Sequence, residues 1–138
     1  MSVASSHLFM DRIGLAVPKR LQLFGVSKFL YSGRTQNSGA AEFVTFDNLL
    51  RESDFVIACC SMNEENKGIF NKGAFAKMKS NAIFINTSRG VLVNQKDLYT
   101  ALTTGQIMAA DLDVTTPEPL PVDNPLHALG NCYIPAFR

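Results

Sequence analysis

This sequence predicts a doubly wound α/β fold, a parallel sheet with helices on both faces. Short apolar runs recur along the chain, segments of helical periodicity separate them, and capping residues mark where those segments begin and end. Continuous rather than alternating apolar strands belong to a sheet covered on both faces. Strand, helix, strand at this spacing requires crossover connections, and hence parallel pairing.

The first strand is expected to be incomplete. In SVASSHLFM only Leu8, Phe9 and Met10 form an apolar end, preceded by Ser5, Ser6 and His7. Residues 12–24 carry Ile13, Ala16, Val17, Leu21 and Phe24 as one apolar stripe at helical spacing. Pro18 interrupts that stripe, at a cost of roughly 3 kcal/mol in a helix interior. A bent helix, or one starting near Val17, would accommodate it. Strands are predicted at 27–31 (SKFLY), 55–60 (FVIACC), 82–86 (AIFIN) and 108–114 (MAADLDV). A short helix over 47–51 has Asp47 as its cap, and another over 71–79 places Phe75 and Met78 on one side. The helix over 94–103 opens on Asn94 and Asp97, gathers Leu98, Ala101 and Leu102, and stops at Gly105. Residues 115–138 hold five of the six prolines and read as loop. The phenylalanines, scattered rather than set in a basic stripe, read as core.

Composition narrows the class. The length of 138 residues suits a single domain over 1–138, and 46% hydrophobic with 18% charged residues is globular. Thirteen basic against twelve acidic side chains leave a formal net charge of +1, too little to displace counterions from a nucleic acid. No apolar run approaches the roughly 20 residues that span a bilayer, and MSVASSHLFM lacks the basic and apolar regions of a secretion signal. Cys59, Cys60 and Cys132 have no metal-type spacing, and their odd number suits a reducing compartment. A cytoplasmic chain with no metal, nucleic acid or membrane partner is expected.

Such a fold does its chemistry at the carboxyl ends of its strands. After SKFLY comes Ser32-Gly33-Arg34-Thr35, with no acid to hold a ribose hydroxyl and an Arg able to receive a 2′-phosphate; a solvated turn would look the same. After AIFIN comes Thr87-Ser88-Arg89-Gly90. A guanidinium there can grip a carboxylate bidentately, or be a surface Arg in a loop, and Gly90 would let the backbone turn sharply behind it. After MAADLDV, Glu118 stands between Pro117 and Pro119, which restrain it. It could support an imidazole or simply be an exposed acid. Asp113 could accept from a carboxamide or cap the next turn.

Taken together, INTSRGVLVNQKDLYTALTTGQI, LDVTTPEPLP, NPL and NCYIP resemble the D-isomer-specific 2-hydroxyacid dehydrogenases. Within that family FGVSKFLYSGR and LDVTTPEPLP resemble the animal glyoxylate/hydroxypyruvate reductases. The similarity runs from about Arg12 to Pro135. It implies a Rossmann-like NAD(P)-binding domain and NADPH preference through Gly33 and Arg34. It also implies a substrate-carboxylate Arg at Arg89, an imidazole-supporting carboxylate at Glu118, and cofactor contacts at Gly14, Ser61, Thr87 and Asp113. The activity implied is reduction of a small 2-keto acid, glyoxylate or hydroxypyruvate, with NADPH.

Departures from the family pattern bear on that activity. Where the family carries G-x-G-x-x-G, this chain reads Phe9-Met10-Asp11-Arg12-Ile13-Gly14, and only Gly14 remains. A side chain at the second position obstructs the pyrophosphate, and a carboxylate there repels it. The family's acid/base His follows the proline matched by Pro135; here Ala136 stands there. His7 and His127 are not placed to replace it, and His127 reads as a surface residue. The family's second lobe, which closes over substrate, has no counterpart over 1–138. Three roles follow as expectations: an impaired reductase, a non-catalytic NADP(H)-binding module, and an interaction protein. The last would form a homodimer, or a heterodimer with a full-length relative that completes an open sheet.

Overall fold

The computed structural model describes residues 2–6, 12–33 and 41–135. Its strands are β1 (Ser2–Ser6), β2 (Lys28–Ser32), β3 (Glu42–Phe43), β4 (Phe55–Ala58), β5 (Ile83–Asn86), β6 (Ala109–Leu112) and β7 (Cys132–Tyr133). All pair in parallel, in the order β3-β2-β1-β4-β5-β6-β7. The chain leaves β1 towards β2 and β3, then returns to lay β4 on the other side. This is the doubly wound topology expected, with its switch point between β1 and β4.

The expectation of an incomplete first strand is corrected. β1 forms on Ser2–Ser6, upstream of the apolar Leu8–Met10 end, which lies outside the described residues. It runs in register with β2 from Ser2↔Lys28 to Ser6↔Ser32, and with β4 from Val3↔Phe55 to Ser6↔Ala58. A ladder is made by backbone N–H and C=O groups, so two apolar neighbours can hold a strand of small residues between them. The motive for a heterodimer, an unpaired sheet interior, falls with this correction.

Helix α1 (Arg12–Leu21) begins at Arg12 and not near Val17, so Pro18 lies inside it, buried. Burial of the ring within the fold offsets part of the lost helical hydrogen bond. A 3₁₀ turn, Gln22–Phe24, follows and ends at Gly25, whose φ of +71° calls for a residue without Cβ. The apolar stripe stops at Leu21: Leu23 and Phe24 are 92% and 73% exposed, so not every phenylalanine is core.

Helix α2 (Phe46–Glu52) is capped by Thr45, which accepts from the Asn48 N–H at 3.3 Å. Asp47, the expected cap, instead pairs with Lys77 at 2.7 Å. Helix α3 (Lys72–Phe75) is shorter than predicted; Asn71 caps it, accepting from Gly73 and Ala74 at 3.0 and 3.2 Å. Helix α4 (Gln95–Thr103) is capped by Asn94, which accepts from Asp97 N–H at 3.2 Å. Gly105, at φ +69°, closes the turn beyond it.

The core lies where these helices meet the sheet. Phe70, Phe75 and Phe84 are fully buried, with ring centroids 4.7 Å apart for Phe70–Phe84 and 5.6 Å for Phe75–Phe84. Edge and tilted contacts of this kind add to the gain from burying the rings. Leu98, Ala101 and Leu102 of α4 are buried as their spacing predicts, and Cys59 and Cys60 are buried at the end of β4. The proline-rich tail is more ordered than a loop, forming a 3₁₀ turn at Pro125–Ala128, with His127 exposed, and then β7.

Candidate functional site

Three loops leave the carboxyl ends of β4, β5 and β6 side by side, tied to one another by hydrogen bonds. The Thr87 N–H donates to the Ala58 carbonyl at 3.4 Å, and the Asp113 N–H donates to the Asn86 carbonyl at 3.0 Å. The Ser88 hydroxyl donates to the Cys60 carbonyl, next to Ser61. Ser61, Thr87 and Asp113 are therefore exposed on one rim. Gly33 follows β2, across β1 from this group, and Gly14 lies in the first turns of α1. Arg34 and Ala136, like Phe9 and Asp11, lie outside the described residues.

Arg89 is exposed, and its Nη1 donates to the Ser88 carbonyl at 2.7 Å. Gly90 behind it is buried, and its role is not the sharp turn anticipated. A Cβ at Gly90 would stand 2.1 Å from the Thr115 carbonyl carbon and oxygen and 2.4 Å from the Thr116 hydroxyl. The absent side chain lets the loop after β6 lie against the loop after β5. Glu118 rides on that second loop, exposed, between cis peptides at Thr116–Pro117 and Glu118–Pro119. Among the described residues it makes no ion pair.

Four polar residues that sequence reasoning missed shape these loops. Asn86, fully buried at the end of β5, accepts from the Ser88 N–H at 3.1 Å and donates to the Arg89 carbonyl at 3.0 Å. Thr115, nearly buried, donates to the Pro117 carbonyl at 3.0 Å. Gln95 at the start of α4 donates to the Thr116 carbonyl, tying the Glu118 loop to the helix. Asn66, also fully buried, accepts from the Asn63 N–H at 2.8 Å and donates to the Ser61 carbonyl at 2.8 Å, which organises the polar loop after β4. A polar residue ending or following an apolar strand is the signal that could have found Asn86 and Thr115, since burial there requires hydrogen-bond partners.

The donor set on this rim fits a dinucleotide. Hydroxyls at Ser61 and Thr87 can meet ribose or phosphate oxygens, and the Asp113 carboxylate can accept from a carboxamide. Residues 7–11, which include the stretch matched to the family's glycine pattern, are outside the described residues.

Topology and rim together define a dinucleotide-binding domain of the Rossmann type. The chain belongs to the family described as D-isomer specific 2-hydroxyacid dehydrogenase, NAD binding domain, which matches residues 9–137. It is 52% identical over 130 residues to the mouse (Mus musculus) glyoxylate reductase/hydroxypyruvate reductase and 50% identical to its human (Homo sapiens) counterpart. Each match covers 91% of this chain and 40% of the relative, so the chain spans well under half of their length. Among solved structures, a protein from Thermus thermophilus superposes with TM-score 0.89 at 38% identity, over 97% of this chain and 42% of that one. An NADPH-dependent glyoxylate/hydroxypyruvate reductase from Sinorhizobium meliloti, in complex with NADP and sulfate, superposes with TM-score 0.86 at 26% identity, over 96% of this chain and 44% of that one.

Proposed function

We propose that this chain is the NADP(H)-binding domain of a reductase of the glyoxylate/hydroxypyruvate type, and that on its own it reduces 2-keto acids poorly. The observation that carries the reading is the Gly90–Thr115 contact, which holds the Arg89 loop and the Glu118 loop together on the rim where Thr87 and Asp113 lie. Arg89 would grip the substrate carboxylate through two parallel N–H···O bonds. Asp113 and Thr87 would orient the carboxamide end of the cofactor, while Ser61, Gly33 and Arg34 would serve its phosphates and 2′-phosphate. NADPH, when bound, supplies a hydride. Glu118 would fix the tautomer of an imidazole and favour its protonated form. At the position where the family resemblance expects that imidazole, the methyl of Ala136 has no proton to give to the developing alkoxide. Where the family carries glycines this chain has Phe9 and Asp11, whose bulk and charge would crowd and repel a pyrophosphate and so lower affinity for the cofactor. The free thiols at Cys59, Cys60 and Cys132 support a cytoplasmic setting, and 1–138 is read as one domain.

A second reading, a non-catalytic NADP(H)-binding module, is favoured by the exposed Thr87–Asp113 rim. A homodimer fits this reading as well as the first. Titrating NADPH fluorescence against the full chain, and following NADPH oxidation with glyoxylate at high protein concentration, separates the two. Weak saturable binding with turnover barely above buffer supports the impaired reductase; binding with none supports the module. No saturable change up to about millimolar cofactor, well above most physiological ligand affinities, would reject both. Arg34→Ala should weaken NADPH binding about tenfold or more and leave NADH binding unchanged, because it removes only the 2′-phosphate partner.

A further inference from the structure

We infer that Asn86 is the positioning residue for Arg89, setting through its buried carboxamide the direction from which the guanidinium meets a substrate carboxylate. The inference rests on the carboxylate role given to Arg89 above. Asn86 occupies the last place in β5, where the alternation of the strand points it to the same side as the fully buried Phe84. An apolar side chain would suit that place. Asn86 is polar and 0% exposed, and both ends of its amide are spent on the loop that follows.

The hydrogen bonds form a chain that ends on the guanidinium. Asn86 Oδ1 accepts from the Ser88 N–H, and the Ser88 carbonyl in turn accepts from Arg89 Nη1 at 2.7 Å. Asn86 Nδ2 holds the Arg89 carbonyl, fixing the main chain from which the side chain departs. Asn86 is itself anchored, since its own carbonyl accepts from the Asp113 N–H at 3.0 Å. Ser88 is thus held on its N–H by Asn86 and on its carbonyl by Arg89. Bidentate recognition tolerates only a small angular error, so a turn closed in this way orients the fork before a ligand arrives.

The test uses the full chain labelled with ¹⁵N and glyoxylate as the probe, reading the Arg89 Nε–H signal and exchange of the Ser88 amide. In the wild type, glyoxylate should move the Arg89 signal saturably, and Arg89→Met should abolish glyoxylate binding. Asn86→Ala should weaken glyoxylate at least tenfold, strip protection from the Ser88 amide and move the Arg89 Nε–H signal towards that of a free side chain. Equal affinity in Asn86→Ala, or an unmoved Arg89 signal, would overturn the proposal. If the wild type does not respond to glyoxylate, the carboxylate reading fails, while Ser88 exchange and the Arg89 signal in the variant still decide whether Asn86 positions the guanidinium.

Should Asn86→Ala lack a cooperative melt, Asn86→Asp supplies the decision. Its neutral carboxyl can accept from Ser88 and donate to the Arg89 carbonyl; its ionised form cannot donate and faces that oxygen with a charge. The Arg89 Nε–H signal of this variant should then shift, as pH rises through its titration, by more than the wild-type signal does over the same range. Identical behaviour of the two proteins would overturn the proposal.

Discussion

Gly90 lies so close to Thr115 that a Cβ on it would stand 2.1 Å from the Thr115 carbonyl carbon and oxygen. The contact joins two loops that arrive from different strands, and on them sit Arg89 and Glu118, the two side chains proposed to serve substrate chemistry. The first prediction is that Gly90→Ala costs about 1–3 kcal/mol, the usual range for overpacking a tight contact. Because the clash is with backbone, trimming the side chain at Thr115 should not relieve it. Urea unfolding followed by circular dichroism would show a lower midpoint at unchanged slope; an unchanged midpoint would mean that the two loops are free to separate.

Affinity for the cofactor should rise when room is restored before α1. Phe9→Gly combined with Asp11→Gly removes both the bulk and the like charge, and re-creates the glycine spacing that lets main chain approach a diphosphate. The double variant should bind NADPH about tenfold or more tightly, as read by fluorescence titration, and its melting temperature should increase with NADPH more than that of the wild type. Turnover should remain low, since Ala136 is unaltered. No gain in affinity would show that the obstruction lies elsewhere.

Alkaline pH should weaken the fold through Cys132. Burial, and secondarily the Asp111 carboxylate, push its thiol from the ordinary 9.0 to about 11. The folded value lies above the unfolded one, so the contribution of the neutral thiol is fully present below about pH 9 and falls away as pH rises towards about 11. Thermal melts on either side of that window should show a steeper loss of stability in the wild type than in Cys132→Ser, which does not titrate there. Parallel losses in the two proteins would rule Cys132 out as the cause.

Much of the architecture can be read from neighbouring residues. The β-branched and aromatic runs at 27–31, 55–60, 82–86 and 108–114 each hold a strand, and the Asn94 cap and Gly105 stop bracket α4 as their chemistry requires. The two shortest strands, β3 and β7, are not legible because two residues carry no periodicity. The first strand is hidden for a related reason. Three of its five residues are serines, and nothing in Ser2–Ser6 announces the apolar neighbours that pair with it on both sides. The site divides in the same way. Arg89, Glu118 and Asp113 stand out by type and place, while Asn86, Thr115 and Gln95, which hold the loops bearing the first two, do not.

Caps, periodicities and the residue types at strand ends are short-range properties, and from them the chain announces a doubly wound fold and the family whose motifs it carries. Which strand sits at the centre, why Gly90 must lack a side chain, and how Asn86 grips the turn beneath Arg89 are decided only once distant segments meet. Hydrogen bonding and close packing between residues far apart in sequence depend on register and on the approach of whole elements, and no local pattern encodes those distances.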